Sequence, residues 1–272
     1  MKSFLEVAIE AAREAGHILL AEFQRPQRIE YKGEVDLVTE ADRRSEEAII
    51  SRLRFHFPQH AVVGEEGGGQ QSDSRYRWYV DPLDGTTNFA HGYPCFCISI
   101  ALVEDTEPVV GVVLNPVSDE LFTAIRGEGA YLNNRRIRVS RVEKLSRSLL
   151  ATGFPSHKRT QNPNILYYWD FTLRSHGVRR DGAAALDLAS VACGRFDGFW
   201  EFGLKPWDTA AGVLLVREAG GRVTDFTGKP FNVVDPAANF PDNALLASNG
   251  LIHGEMQQVA AEVSARAATS KF

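Results

Sequence analysis

Four apolar runs, "CISIALVE", "PVVGVVLNP", "ELFTAIR" and "AYLNN", follow one another between Cys97 and Asn134 with only short gaps between them. Asn-Pro, Gly and Asn-Asn turn signals mark the gaps, and "RYRWYVD" precedes the set. Gaps this short leave no chain for a crossover helix, so neighbouring strands must run antiparallel. The middle of the first half therefore reads as an antiparallel meander. Upstream, Phe4, Ala8, Ala12, Ala15 and Leu19 recur at helical spacing, predicting an amphipathic helix. "TEADRRSEEAIISRL" predicts a second helix, with Thr39 and Asp42 placed for a capping box. After "RSLLATGF" the pattern alternates. A helix from about Asn164 to Ser175 precedes "GVRR", and "AAALDLASVACG" precedes "FDGFWEF". "WDTAAGVLLVREAGG" ends in paired glycines, before "RVTDF", "ALLASN" and a last helix to about Ala267.

The expected class is thus α/β: an α+β N-terminal half over 1–147 and an α/β C-terminal half over 148–272. The halves are expected to pack as one compact unit, with a small-ligand cleft at their seam. At 272 residues the chain can bury a substantial core. A formal net charge of −5 argues against a nucleic-acid-binding body, and the basic stretch Arg135–Arg147 reads as a solvated strand and turn. Three cysteines point to a reducing compartment. Glu6, Glu10, Arg13 and Glu14 interrupt any signal-peptide core, and no apolar run is long enough to span a membrane. The expectation is a cytoplasmic protein.

One segment asks for more than a fold. In "WYVDPLDGTTNF" a strand ends at Asp81, and Pro82, with no N–H to donate, is expected to stop the ladder there. Asp81, Asp84 and the Leu83 carbonyl can converge on one point, and such oxygen donors suit Mg²⁺ before Zn²⁺. Gly85 admits a close backbone approach, and Thr86-Thr87-Asn88 can begin a helical turn whose N–H groups bind phosphate oxygens. Alone, these residues are also ordinary turn formers. In "VVGEEGGG" a strand runs into Glu65 and Glu66, which could equally belong to a solvated loop. Asp208 in "KPWDTAAG" could be an N-cap, and Asp42 the third residue of a capped helix. The conjunction decides for a site. Carboxylates gathered without counter-charge repel and take up protons unless a divalent cation joins them.

These motifs resemble the inositol monophosphatase family. "GEE" (64–66), "DPLDGTTNF" (81–89) and "WDTAAG…EAGG" (207–221) are similar to its signatures. "KGEVDLVTEAD" (32–42), "GAAALDLASVACG" (182–194) and "FDGFWEFGLKPWD" (196–208) follow its order, so the resemblance runs from about Ala8 to Ile252. It implies a layered αβαβα sandwich of the sugar-phosphatase type, usually a homodimer, that hydrolyses a phosphate monoester with two or three Mg²⁺ ions and metal-activated water. Lithium sensitivity is implied with it. Glu65, Asp81, the Leu83 carbonyl and Thr86 correspond to a first metal site, and Asp81, Asp84 and Asp208 to a second. Thr86, oriented by Asp42, corresponds to the group that polarises the attacking water. Asp42, Glu65 and Thr86 are the implied catalytic set. Gly85 and Thr86 correspond to phosphate-binding amides, and Asp84, Ala184 and Glu201 to positions facing the polyol.

Inositol-1-phosphate is the expected substrate. Fructose 1,6-bisphosphate, NADP, histidinol phosphate and 3′-phosphoadenosine phosphates are alternatives on the same metal site. An RNA or transcription-complex accessory role is an alternative of another class. Cys95 and Cys97 read as core residues, His91 as a rim residue and Asp181 as an exposed strand-end charge. Ser156 lies in a segment that aligns poorly with the family. Tyr167, Tyr168 and Trp169 read as core or interface packing on the Asn164–Ser175 helix.

Overall fold

A computed structural model describes residues 2–23, 30–31, 37–154, 162–241 and 243–269. Ser156 and residues 32–36 of the "KGEVDLVTEAD" motif lie outside the described residues. The first half contains α1 (Phe4–Phe23), β1 (Glu30–Tyr31), β2 (Leu37–Val38), α2 (Glu40–His56), β3 (Ala61–Gly64), β4 (Gly69–Gln70), β5 (Tyr76–Asp84) and α3 (Thr86–Ala90). It continues through β6 (Cys97–Glu104), β7 (Glu107–Asn115), β8 (Glu120–Ile125), β9 (Gly129–Leu132) and β10 (Arg135–Arg136). The second half contains β11 (Leu149–Thr152), α4 (Asn164–Arg174), β12 (Gly177–Arg179), α5 (Ala184–Ala192) and β13 (Gly198–Glu201). It ends with α6 (Pro206–Glu218), β14 (Arg222–Thr224), β15 (Leu245–Ser248) and α7 (His253–Thr269).

The meander forms as its short turns require: β5 to β10 pair antiparallel in chain order, and β3 adds parallel to β5. The second sheet runs β12-β11-β13-β15-β14. There β11, β12, β13 and β14 point one way, because helices α4, α5 and α6 carry the chain back between them, and β15 inserts antiparallel between β13 and β14.

Side-chain alternation sorts each strand between two layers. In β6, Ile98, Ile100 and Leu102 face the outer core under α1 and α2, while Cys97, Ala101 and Val103 face α5 and α6. In β13, Phe199 faces the same middle layer, and Trp200 faces the core beneath α4 and α7. The order is α1/α2, eight-stranded sheet, α5/α6, five-stranded sheet, α4/α7, an αβαβα sandwich. Helices α5 and α6 lie between two sheets, and residues 184–189 and 209–216 are buried on every side and mostly apolar, as such a position demands. Their contact is tight: a Cβ on Gly212 of α6 would stand 2.5 Å from the Leu188 Cβ of α5.

One local expectation is corrected. Pro82 does not end its strand, which continues to Asp84 with a register shift between Asp81, opposite Ser99, and Asp84, opposite Cys97. The missing N–H is absorbed by an irregularity in the ladder, and pairing resumes beyond it.

Candidate active site

Four helix N-termini (α2, α3, α5, α6) and the ends of β3, β5 and β13 carry the candidate residues, and the carboxylates of Asp42, Asp81, Asp84 and Asp208 each accept a backbone N–H. Asp81, 2% exposed, accepts the Leu83 N–H on Oδ1 at 2.9 Å. Asp84 Oδ2 accepts the Ala185 N–H at 2.7 Å, and the Cys97 thiol lies 3.7 Å from the same oxygen. Asp208 Oδ2 accepts the Lys205 N–H at 2.7 Å. Asp208 is therefore not the N-cap of α6 but its third residue, capping backward while remaining at the mouth of the helix. Asp42 likewise is third in α2; its Oδ2 accepts the Thr39 N–H at 2.8 Å and the Thr39 hydroxyl at 2.5 Å. Its Oδ1 stands 3.2 Å from Thr86 Oγ1, which is also 3.0 Å from the Leu83 carbonyl. A single hydroxyl proton serves one of these acceptors at a time.

Glu65 leaves β3 with its N–H bonded to the Val80 carbonyl at 3.1 Å. Its loop is held by a residue the sequence reading missed. Glu46 on α2 accepts the Glu66 N–H at 2.8 Å and the Gly68 N–H at 2.7 Å. A Cβ on Gly64 or Gly68 would stand 2.3 Å from a Glu46 carboxylate oxygen, so a side chain at either position would displace Glu46 from the amides it holds. That is the local reason for the glycines around "EE".

The electrostatics show which residues the fold brings together. Burial raises Asp81 well above the ordinary carboxylate range, and Glu65, Asp84 and Asp208 push it further. Asp84 is pushed up to about 7, first by burial and then by Glu65, against the amides of Ala185 and Ala184. Asp208 is pushed up to about 7 by burial and by Asp84, opposed by Lys205. Burial also raises Asp42, to about 6. Glu65, Asp81, Asp84 and Asp208 thus form one interacting group drawn from three separate segments.

Among the described residues, no three His, Cys, Asp or Glu side chains converge closely enough to hold a metal ion as they stand. Burial and mutual repulsion raise these carboxyls together. The donors are all oxygens, and the set fits a hard divalent cation by its chemistry.

Beside this group, Gly85 adopts φ +95°, and a Cβ there would stand 2.9 Å from the Cys95 carbonyl. That left-handed step starts α3 at Thr86, whose first-turn amides have no carbonyl ahead of them within the helix. Asn88 Nδ2 donates to the carbonyls of Cys95 and Asp181, each at 2.7 Å, fixing α3 to the start of α5. Ala184 opens α5, and its amide reaches Asp84. Glu201, at the end of β13, is raised well above its ordinary value by burial, then by Asp208 and Asp84. Gly153 leaves its carboxylate room, since a Cβ at 153 would stand 2.1 Å from Glu201 Oε1.

Two further residues escaped the sequence reading. Cys97 is buried core as expected, yet its thiol also meets Asp84. Asp187 sits near the cleft, and the one signal for it was a charge within the apolar helix "AALDLASVA". Asp181 is half-buried rather than exposed, and its carboxyl is raised by that burial. His91 is exposed.

The model of the inositol monophosphatase family matches residues 1–268. An inositol-1-monophosphatase from Synechocystis sp. is 45% identical, over 96% of this chain and 90% of its own length. A protein from Pseudomonas aeruginosa named Nus factor SuhB is 49% identical, over 84% of this chain and 87% of its own. The solved structure of inositol monophosphatase from Anabaena (Nostoc) sp. superposes with a TM-score of 0.84 at 44% identity, covering 95% of each chain. With the family model matching almost the whole chain and the fold superposing on a solved member, the chain belongs to the inositol monophosphatase family and is a phosphatase of that generally metal-dependent family.

Proposed function

We propose that this protein hydrolyses inositol-1-phosphate to myo-inositol and phosphate with Mg²⁺ as its metal. The observation that carries the reading is the gathering of Asp81, Asp84 and Asp208, each oriented by a backbone N–H, with Glu65 beside Asp81. Glu65, Asp81, the Leu83 carbonyl and Thr86 would hold one ion, and Asp81, Asp84 and Asp208 another. Bound there, Mg²⁺ supplies Lewis acidity that acidifies water and neutralises charge on the phosphoryl and leaving oxygens. The chain supplies position and protons. Asp42, mostly ionised at neutral pH, draws the Thr86 hydroxyl proton toward Oδ1. The Thr86 oxygen is then left as an acceptor for a proton of the attacking water. The amides of Gly85 and Thr86 would hold phosphoryl oxygens, and Asp84, Glu201 and the backbone at Ala184 the polyol hydroxyls.

The test is a panel of phosphate monoesters assayed at equal Mg²⁺: inositol-1-phosphate, fructose 1,6-bisphosphate, NADP, histidinol phosphate and a 3′-phosphoadenosine phosphate. The highest kcat/KM is expected for inositol-1-phosphate, and another substrate leading would displace it. Lithium inhibition, measured in the same assay, belongs to the same proposal. No helix among the described residues is long and apolar enough to cross a membrane. Exposed Ile165, Trp169 and Leu173 along α4 support a homodimer. A second reading comes from the relative named Nus factor SuhB: a role in a transcription complex beside catalysis. A partner retained by Asp84→Asn protein in co-purification would favour it.

A further inference from the structure

Of the carboxylates proposed to hold metal, Glu65 alone reaches the cleft from a turn, and the fold fixes its backbone on both sides. Its own N–H donates to the carbonyl of Val80, the residue before Asp81, at 3.1 Å. The next N–H, in the peptide that joins Glu65 to Glu66, donates to Glu46 Oε2 at 2.8 Å. Glu46 Oε1 accepts the Gly68 N–H at 2.7 Å, and the Gly64 N–H donates to the Gly68 carbonyl at 3.0 Å, closing the loop at its base. Peptide units are planar, so tying the one before and the one after Glu65 sets both of its backbone torsions. That fixes the direction in which its side chain leaves the chain, toward Asp81, with which it shares a hydrogen bond.

Glu46 is 4% exposed and sits among Ile49, Ile50 and Leu53 on the buried face of α2. A carboxylate there is unfavourable unless donors meet it, and two of its donors come from the loop that carries Glu65. The three atoms nearest a Cβ on Gly64 would all belong to the Glu46 carboxyl group, so the loop closes directly against it. Asp42 lies one turn earlier on the same face of α2, with Oδ1 3.2 Å from Thr86 Oγ1. One rigid helix thus holds Thr86 through Asp42 and the Glu65 loop through Glu46, from positions about 6 Å apart along its axis.

We propose that Glu46 is a positioning residue for Glu65: by holding the peptide between Glu65 and Glu66, it sets the affinity of that end of the cleft for Mg²⁺. Glu46 supplies no atom to the ion, because both of its oxygens are engaged with loop amides. Mg²⁺ demands near-ideal octahedral geometry, so a donor turned aside costs affinity even when the carboxylate itself is intact. The inference rests on the metal-dependent phosphatase reading of the same cleft.

The experiment is a calorimetric Mg²⁺ titration of full-length, chelator-stripped wild type, Glu46→Gln, Glu65→Gln and the double variant. Glu46→Gln keeps the side-chain volume but turns an NH2 group toward one of the two amides. It is expected to raise the Mg²⁺ Kd about tenfold, the scale seen when a group that orients a metal ligand is lost. In the Glu65→Gln background the same change is expected to move Kd by less than about twofold, because the residue it acts through is already altered. In assays, raising Mg²⁺ about tenfold should return kcat of Glu46→Gln to within about threefold of wild type, with KM for inositol-1-phosphate unchanged. An unchanged Kd in Glu46→Gln, or an equal rise in both backgrounds, overturns the assignment. Should Glu46→Gln misfold, as a thermal melt reports, Gly64→Ala decides, since its methyl group displaces the Glu46 carboxylate. The same rise in Kd is then required, and its absence overturns the assignment. Wild type that shows this pattern of Mg²⁺ binding yet releases phosphate from no monoester supports the assignment and overturns the phosphatase reading beneath it.

Discussion

The two walls of the cleft are both acidic, yet they are built differently. On the metal side, Asp81, Asp84 and Asp208 each give one oxygen to a backbone N–H, and Asp42 does the same with Thr39. On the side proposed to face the polyol, Asp187 in α5 has a buried oxygen with no hydrogen-bond partner among the described residues. An N–H donor favours the charged carboxylate, and an unpaired buried oxygen favours the neutral acid. The difference teaches that carboxyls alone do not define a metal site. Backbone donors oppose the burial that raises the first group, where the proposed cation would bind, while the proposed polyol side has no such donor at Asp187.

The comparison breaks most visibly at Asp84. Asp84→Asn is expected to lower phosphate release by about 10³-fold or more, since it removes a carboxylate at the reacting centre. Turnover near wild type in that variant would deny the metal wall its role. Thr86→Ala should cost roughly 10²-fold in kcat, and Thr86→Ser should recover most of it, because the hydroxyl facing Asp42 is what acts. Equal loss in both variants would point to packing rather than proton handling.

Gly212 tests how the walls are joined, since α6 carries Asp208 and α5 supplies the amide that holds Asp84. A methyl group there meets Leu188, and Gly212→Ala should destabilise the protein by about 1–3 kcal/mol in denaturant unfolding. An unchanged midpoint would show that the helices can part freely. The smallest effect is a pH linkage. Folding raises Asp42 to about 6 and Asp84 and Asp208 to about 7, above ordinary values near 3.8. Their stability contribution is therefore fully present below about pH 4 and is lost as pH rises through about 7. In chelator that loss persists; with Mg²⁺ bound to the ionised form it is offset. The rise in Tm caused by Mg²⁺ should accordingly grow between pH 5 and pH 8, in roughly the range set by these values. A Tm shift independent of pH would contradict the carboxylate origin of metal binding.

Much of this was legible in one dimension, and particular residues show why. The meander followed from gaps too short for crossovers, and α1 and α2 from helical spacing and a capping box. "DPLDGTTNF" exposed Asp81, Asp84, Gly85 and Thr86 together because they are consecutive in the chain. Pro82 misled, since a missing N–H predicts an end to pairing while the sheet tolerates an irregularity. Glu46 and Gly153 were invisible. Their meaning lies in neighbours 20 and 48 residues away, Glu66 and Glu201.

The sequence by itself determined the element types, the antiparallel meander, the apolar character of α5 and α6, and the list of acidic residues worth watching. Periodicity, turn chemistry and composition are local, so a linear reading reaches them. Only the tertiary structure decided which acids share a volume, which have a backbone donor, and that Asp187 is buried with an unpaired oxygen. Burial and Coulomb interaction depend on distances between segments that the chain brings together only when its layers pack.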